Sequence, residues 1–230
     1  MGQGRARGPA SLLGLLLAGC ELLPGCAAPA VEPNCPEVVT KWPGTIWFGD
    51  YEPAEVSSLS DLPDDVQREL TSHLRARLGN AVYAELEFAG GQAIDAATLQ
   101  ADPDMQWRVP DYHLHFRLSR PAACVDYYAE IDLDAQGRVI NEIDLPDVAS
   151  RGGELRIVSL DQAFQAVRAA GHVGPLTAEI EYRKDLDAIV WVIEPTNERV
   201  RHDAQGTDVE VIVDARDGTI VGTEERSWDE

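Results

Sequence analysis

A hairpin pattern that occurs twice constrains the fold of this chain more than any other feature. Residues 208–223 read DVEVIVDARDGTIVGT, in which apolar residues alternate before and after an Asp/Gly turn. A looser copy, CVDYYAEIDLDAQGRVINE, covers residues 124–142. Alternation on both sides of such a turn predicts a β-hairpin. Two copies predict a duplicated structural unit.

The elements that precede each hairpin repeat as well. A helix is predicted to open at Asp61 and close at Gly79, and its counterpart covers residues 159–170, because apolar residues recur along one face of each segment. Each helix leads into a similar strand, AELEF at residues 84–88 and AEIEY at residues 178–182. The two halves therefore share the order of their first elements.

A further strand is predicted in each half, at residues 112–118 and 188–193, and a long loop at residues 89–110 precedes the first of them. An amphipathic helix can cover the apolar face of a small antiparallel sheet. The predicted fold class is thus α+β. It comprises two tandem modules, residues 59–150 and 151–230, each with one helix packed on an antiparallel sheet of three to four strands.

Residues 1–19 have the pattern of an export signal, with two arginines, a short apolar run and then small residues. Leu17-Ala18-Gly19-Cys20 resembles the bacterial lipobox, which predicts that Cys20 carries the lipid anchor. The expected location is the bacterial cell envelope, on the periplasmic face of a membrane. The alternatives are an ordinary secretory peptide, or lipidation at Cys26, where Pro24 fits a cleavage site poorly.

Residues 20–58 are rich in proline and predict an extended tether that carries the body away from the bilayer. An aromatic cluster, WPGTIWF, interrupts this tether. Its side chains Trp42, Trp47 and Phe48 are a candidate partner-binding site. The alternative is a hook that packs on the edge of the folded body.

The second half resembles a PepSY domain. The resemblance rests on SLDQA at residues 159–163, on Gly171, on the strand at residues 189–193 and on VIVDARDGTIV at residues 211–221. The first half matches more loosely, with a hairpin turn shorter by one residue. The resemblance implies a small helix-on-sheet module with an inhibitory or partner-binding role and without catalytic residues.

The resemblance also implies a function. The PepSY modules that it resembles occur in metallopeptidase propeptides, where an inhibitory role is proposed. No peptidase domain follows in this chain, so inhibition of an exported peptidase would act in trans. The expected function is that of a membrane-anchored, non-catalytic binding or regulatory module, and the protein is expected not to be an enzyme and to need no cofactor. One alternative is a structural component of an envelope assembly. Motifs such as G-x-S-x-G and Gly-rich phosphate loops do not occur.

Charge narrows the range of partners. The chain has 19 Lys and Arg against 40 Asp and Glu, a formal net charge of -21. Such a field repels phosphate backbones, so nucleic acid is excluded as a partner and cationic partners are favoured. The alternative is that the acidity serves solubility alone.

Two pairs of residues are candidates for covalent or metal chemistry. Cys35 and Cys124 lie in the exported part, where disulfides persist, and Cys26 is either left over or an alternative partner for Cys35. His113 and His115 lie two apart, so on a strand both face the same side and could bind one metal ion. No third ligand is identified, and the same pattern fits the solvated face of a half-buried strand.

Overall fold

The computed structural model describes residues 39–40, 44–46, 49, 51–102, 105, 107–195, 200–202 and 205–229. All of them belong to one compact unit, Pro33–Glu230. The fold is α+β, with two sheets and few helices. In this part of the chain, no helix combines the length and the apolar character that crossing a membrane requires.

The elements are as follows. The first half contains β1 (Val39–Thr40), β2 (Ala54–Val56), α1 (Asp64–Glu85), β3 (Leu86–Ala93), α2 (Ala96–Gln100), β4 (Tyr112–Arg120), β5 (Val125–Leu133) and β6 (Val139–Asn141). The second half contains α3 (Leu160–Ala169), β7 (Leu176–Arg183), β8 (Ala188–Pro195), β9 (Val200–His202), β10 (Gln205–Asp214) and β11 (Ile220–Asp229). β1 and β2 lie within the range that was predicted as a tether.

The strands of the two halves form two separate sheets, except that β1 from the first half joins the second sheet. The first has five strands in the order β2-β3-β4-β5-β6, and every neighbouring pair is antiparallel. The second has the order β1-β7-β8-β10-β11, with β9 also paired to β10, and only β1 runs parallel to its neighbour. In both halves a helix precedes four strands that follow one another across the sheet. This shared order is the one expected of a duplicated unit, and assignment to PepSY modules stays a prediction.

The two hairpin turns are built alike. Asp134 accepts a hydrogen bond from the Gln136 amide at 3.0 Å, and Asp214 accepts one from the Arg216 amide at 2.7 Å. Each turn ends in a glycine with a φ of 79°, Gly137 in the first and Gly218 in the second. Glycine adopts this left-handed conformation without steric cost. The predicted hairpins are therefore both present, and the same chemistry closes them.

The end of the first helix differs from the prediction. Gly79 has the non-helical angles φ 75° and ψ 161°, as its position suggested, yet the helix resumes and continues to Glu85. Val82 is buried and extends the same apolar spacing beyond the glycine, which keeps the added turn on the core. The strand that was predicted from Ala84 consequently begins at Leu86, and β3 and α2 occupy part of the predicted loop.

The main hydrophobic core contains residues of both halves. The buried apolar residues of α1 belong to this core together with residues of both sheets, and along β5 buried and partly exposed side chains alternate. Fully buried members from both halves include Leu70, Leu74, Leu114, Ile131, Leu145, Trp191, Ile193 and Val213. The core thus spans the predicted boundary near residue 150, and β1 crosses it to join the second sheet. The division into two modules stays a prediction.

A polar network centred on Asp187 also connects the halves. Its carboxylate accepts hydrogen bonds from Tyr182 Oη at 2.7 Å and from Arg77 Nη2 at 3.3 Å, and it pairs with Arg151 Nη2 at 2.8 Å. The Asp147 amide donates to both carboxylate oxygens at 3.3 Å. Asp187 itself has a φ of 47°, a conformation that aspartate tolerates better than most residues.

We expect Asp187→Ala to lower the free energy of unfolding by about 2–3 kcal/mol, because the hydrogen bonds that the carboxylate accepts from Arg77, Tyr182 and the Asp147 amide are lost. Urea denaturation followed by circular dichroism measures this change. Asp185→Ala in the same turn is the control, since Asp185 forms a surface pair with Arg183. This variant should stay within about 0.5 kcal/mol of the wild type. Equal effects of the two substitutions would contradict a bridging role for Asp187.

Candidate functional site

A polar face lies on the outer side of the first sheet. Along β4, Leu114 and Phe116 face the core, whereas His113 and His115 face the other side. On β5 the same alternation places Glu130 and Asp132 on this outer side. The strands therefore bring two imidazoles and two carboxylates to one surface.

Strand register pairs these groups directly. His113 lies opposite Asp132, and His115 lies opposite Glu130. His113 Nδ1 is 2.7 Å from Asp132 Oδ1, and the two imidazole rings meet edge to face with centroids 4.6 Å apart. His113, His115 and Glu130 each place one potential ligand atom within 4.8 Å of the other two.

Residues 44–46 cover this surface. The Gly44 amide donates to Glu130 Oε1 at 2.8 Å, and the Gly44 carbonyl oxygen lies 3.1 Å from His113 Nε2. The Ile46 amide donates to Gln92 Oε1 at 2.9 Å. His113 and His115 expose only 5% and 8% of their surface, so they do not mark a solvated strand face. These three residues belong to the segment for which a hook on the folded body was the alternative expectation.

The local charges move the pKa values of the two histidines in opposite directions. Burial acts to lower the pKa of His113, but the hydrogen bond and charge of Asp132, together with the charge of Glu130, outweigh it and raise that pKa. Burial and the neighbouring His113 lower the pKa of His115. These surroundings favour the protonated form of His113 more than in a free imidazole, whereas His115 favours the neutral ring, which can accept a hydrogen bond or bind a cation.

No family model, no curated protein and no solved structure matches the chain. The resemblance to PepSY domains therefore rests on the sequence patterns alone.

Several predicted site residues lie outside the described part of the chain. These are Cys20, Cys35, Trp42, Trp47 and Phe48. Cys124 is described and is disulfide-bonded, but its partner lies outside the described residues. Lipidation of Cys20, pairing of Cys35 with Cys124 and binding through the aromatic cluster all stay predictions.

Sequence reasoning missed Gly44, Glu130 and Asp132 as members of the polar face. A usable signal existed for the two acids, because β4 and β5 are joined by a short connection around residues 121–124. Antiparallel pairing about that connection puts alternating residues of the two strands opposite each other. Nothing in the sequence near Gly44 predicts its contact with His113, which lies 69 residues further along the chain.

The second sheet offers a different surface, the free side of β11. Among the described strands, β11 pairs only with β10. A register shift at Val221 interrupts the pairing, and residues 222–229 continue it without a further shift. Ile220 and Val221 expose 38% and 47% of their surface. Such an edge presents backbone donors and acceptors to which another extended segment can add.

Proposed function

We propose that the protein is a lipid-anchored envelope protein that works as a non-catalytic binding module and regulates an exported partner. Three features support this proposal: the lipobox that ends at Cys20, the PepSY-like patterns of the second half and the repeated helix-on-sheet architecture. Two or three acyl chains on the N-terminal cysteine would hold the body at the periplasmic face of a membrane.

The observation that carries the binding proposal is the long edge strand β11. Exposed strand edges in natural proteins are usually short, bulged or covered, because they recruit other chains. Here the bulge at Val221 protects only the start of the edge, and eight residues beyond it keep regular pairing on the β10 side. An extended peptide that adds to this edge would gain main-chain hydrogen bonds along its length.

Charge defines the partner more closely. Glu224 and Glu225 are exposed on β11, and the whole chain carries a formal net charge of -21. Arg183 bonds Glu224 at 2.8 Å and offsets only part of this negative surface. Opposite charge steers association, so we propose that an extended, basic segment of an exported protein binds β11.

A photo-crosslinking amino acid introduced at Thr223 of the anchored protein tests this surface in the native envelope. We expect a covalent adduct with another envelope protein from position 223. The same group at Val173, which is 72% exposed on a loop of the same half, should give none. A crosslink only to a second copy, or equal adducts from both positions, would contradict the proposed docking edge.

Regulation requires a second measurement. If the crosslinked partner is an exported peptidase, its activity should fall when the Cys20→Ala protein, which lacks the anchor, is added. Unchanged peptidase activity, or recovery of envelope-assembly components alone, would favour a structural role instead. The two experiments separate failure of the binding edge from failure of the regulatory role.

A further inference from the structure

The polar face of the first sheet has the residues of a metal site, which is separate from the proposed binding edge on β11. We propose that His113, His115 and Glu130 bind a divalent transition metal ion, with Zn²⁺ as the representative ion. Their ligand atoms lie within 4.8 Å of one another, whereas tetrahedral zinc ligands lie about 3.4 Å apart, so small side-chain rotations complete the site. The donor set of two imidazoles and one carboxylate suits zinc, copper or nickel and disfavours magnesium and calcium.

Asp132 prepares His113 for this role. Its Oδ1 atom lies 2.7 Å from His113 Nδ1, and its Oδ2 atom accepts a hydrogen bond from Asn141 Nδ2 at 2.6 Å. A carboxylate that accepts the second ring N–H fixes the tautomer and orientation of a metal-binding histidine. With Nδ1 held by Asp132, Nε2 is the atom left to ligate the ion. Asp132 is therefore a positioning residue.

His115 provides an independent indication. Its Nε2 atom is buried and makes no hydrogen bond of good geometry within the part of the chain that the structure describes, although the Gly44 backbone lies close enough to affect the pKa of the ring. Buried side-chain nitrogens nearly always have a partner, and an exception calls for an explanation. Because Glu130 lies opposite His115 in the register, a cation between them would satisfy the nitrogen and the carboxylate together.

Gly44 closes the remaining side of the site. Its carbonyl oxygen lies 3.1 Å from His113 Nε2, the position that the ion needs, and its amide bonds Glu130. Binding of Zn²⁺ at His113 Nε2 would displace the Gly44 carbonyl oxygen from that nitrogen.

Calorimetric titration of the Cys20→Ala protein, purified without an affinity tag and stripped with a chelator, tests the site. We expect one equivalent of Zn²⁺ to bind and Mg²⁺ not to bind. His115→Gln removes a ligand and should weaken zinc affinity by about 100-fold or more, and Asp132→Asn by about 10–100-fold. His172→Gln is the control for adventitious binding by a single histidine and should leave the affinity unchanged.

Two results would overturn the proposal: no stoichiometric zinc binding by the parent protein, or equal losses from His115→Gln and His172→Gln. If the variants at positions 115 and 132 do not fold, imidazole ¹⁵N resonances of the parent protein decide the matter. Zn²⁺ should shift the signals of His113 and His115 and leave those of the other histidines in place. Shifts spread over all histidines would count against the site.

Discussion

Replacing Cys20 by Ala is expected to move the protein from the membrane fraction of the cell to the soluble fraction. The thiol of Cys20 is the predicted acceptor of the diacylglycerol, and the apolar run before it is too short to serve as a membrane-spanning anchor. Without acyl chains the acidic body has no attraction to an anionic bilayer surface. Cell fractionation followed by immunoblotting measures the change.

Cys26→Ala is the matched control, because Cys26 ends the weaker of the two candidate cleavage sites. That variant should remain entirely with the membrane. Persistence of the Cys20→Ala variant in the membrane fraction would show that the anchor prediction is wrong. Release of the Cys26→Ala variant instead would move the lipidation site to the second cysteine.

Local signals explain which parts of the fold could be predicted. The turn at Asp214 and the start of α3 depend on residues within a few positions of each other. At α3, Ser159 accepts from the Gln162 amide at 3.3 Å while the Gln162 side chain bonds the Ser159 amide at 3.0 Å. Reciprocal caps of this kind are visible in the sequence. The helices, the hairpins and the α+β class were therefore accessible.

Contacts between distant residues set the rest. The helix α1 continues past Gly79 because Val82 is buried in the core. Residues 39–40 pair with β7 although proline-rich sequence surrounds them. Neither outcome follows from local propensity, since tertiary packing decides it. The candidate metal site likewise combines local and long-range features. The two histidines could be predicted from their spacing in the sequence. Glu130 lies beside them only because β4 pairs with β5, and Gly44 only because the segment before β2 crosses this face.

The largest effect on stability is expected at Trp191, which is fully buried in the core that both halves share. It stands between Ile180 on β7 and Val213 on β10, and its indole N–H donates to the Val158 carbonyl at 3.2 Å. Trp191→Ala should lower the free energy of unfolding by about 3–5 kcal/mol, because it opens a cavity and removes the hydrogen bond. That is a large share of the 5–15 kcal/mol typical of a domain.

Two further variants separate the causes. Trp191→Phe keeps most of the buried ring and should cost only about 1–3 kcal/mol, since the hydrogen bond to Val158 is lost. Trp107→Ala removes a tryptophan that is 56% exposed and should change stability by no more than about 0.5 kcal/mol. Urea unfolding of all three should remain a single cooperative transition, because one core spans both sheets. Two separate transitions, only one of them shifted by Trp191→Ala, would mean that the halves fold independently despite the shared core.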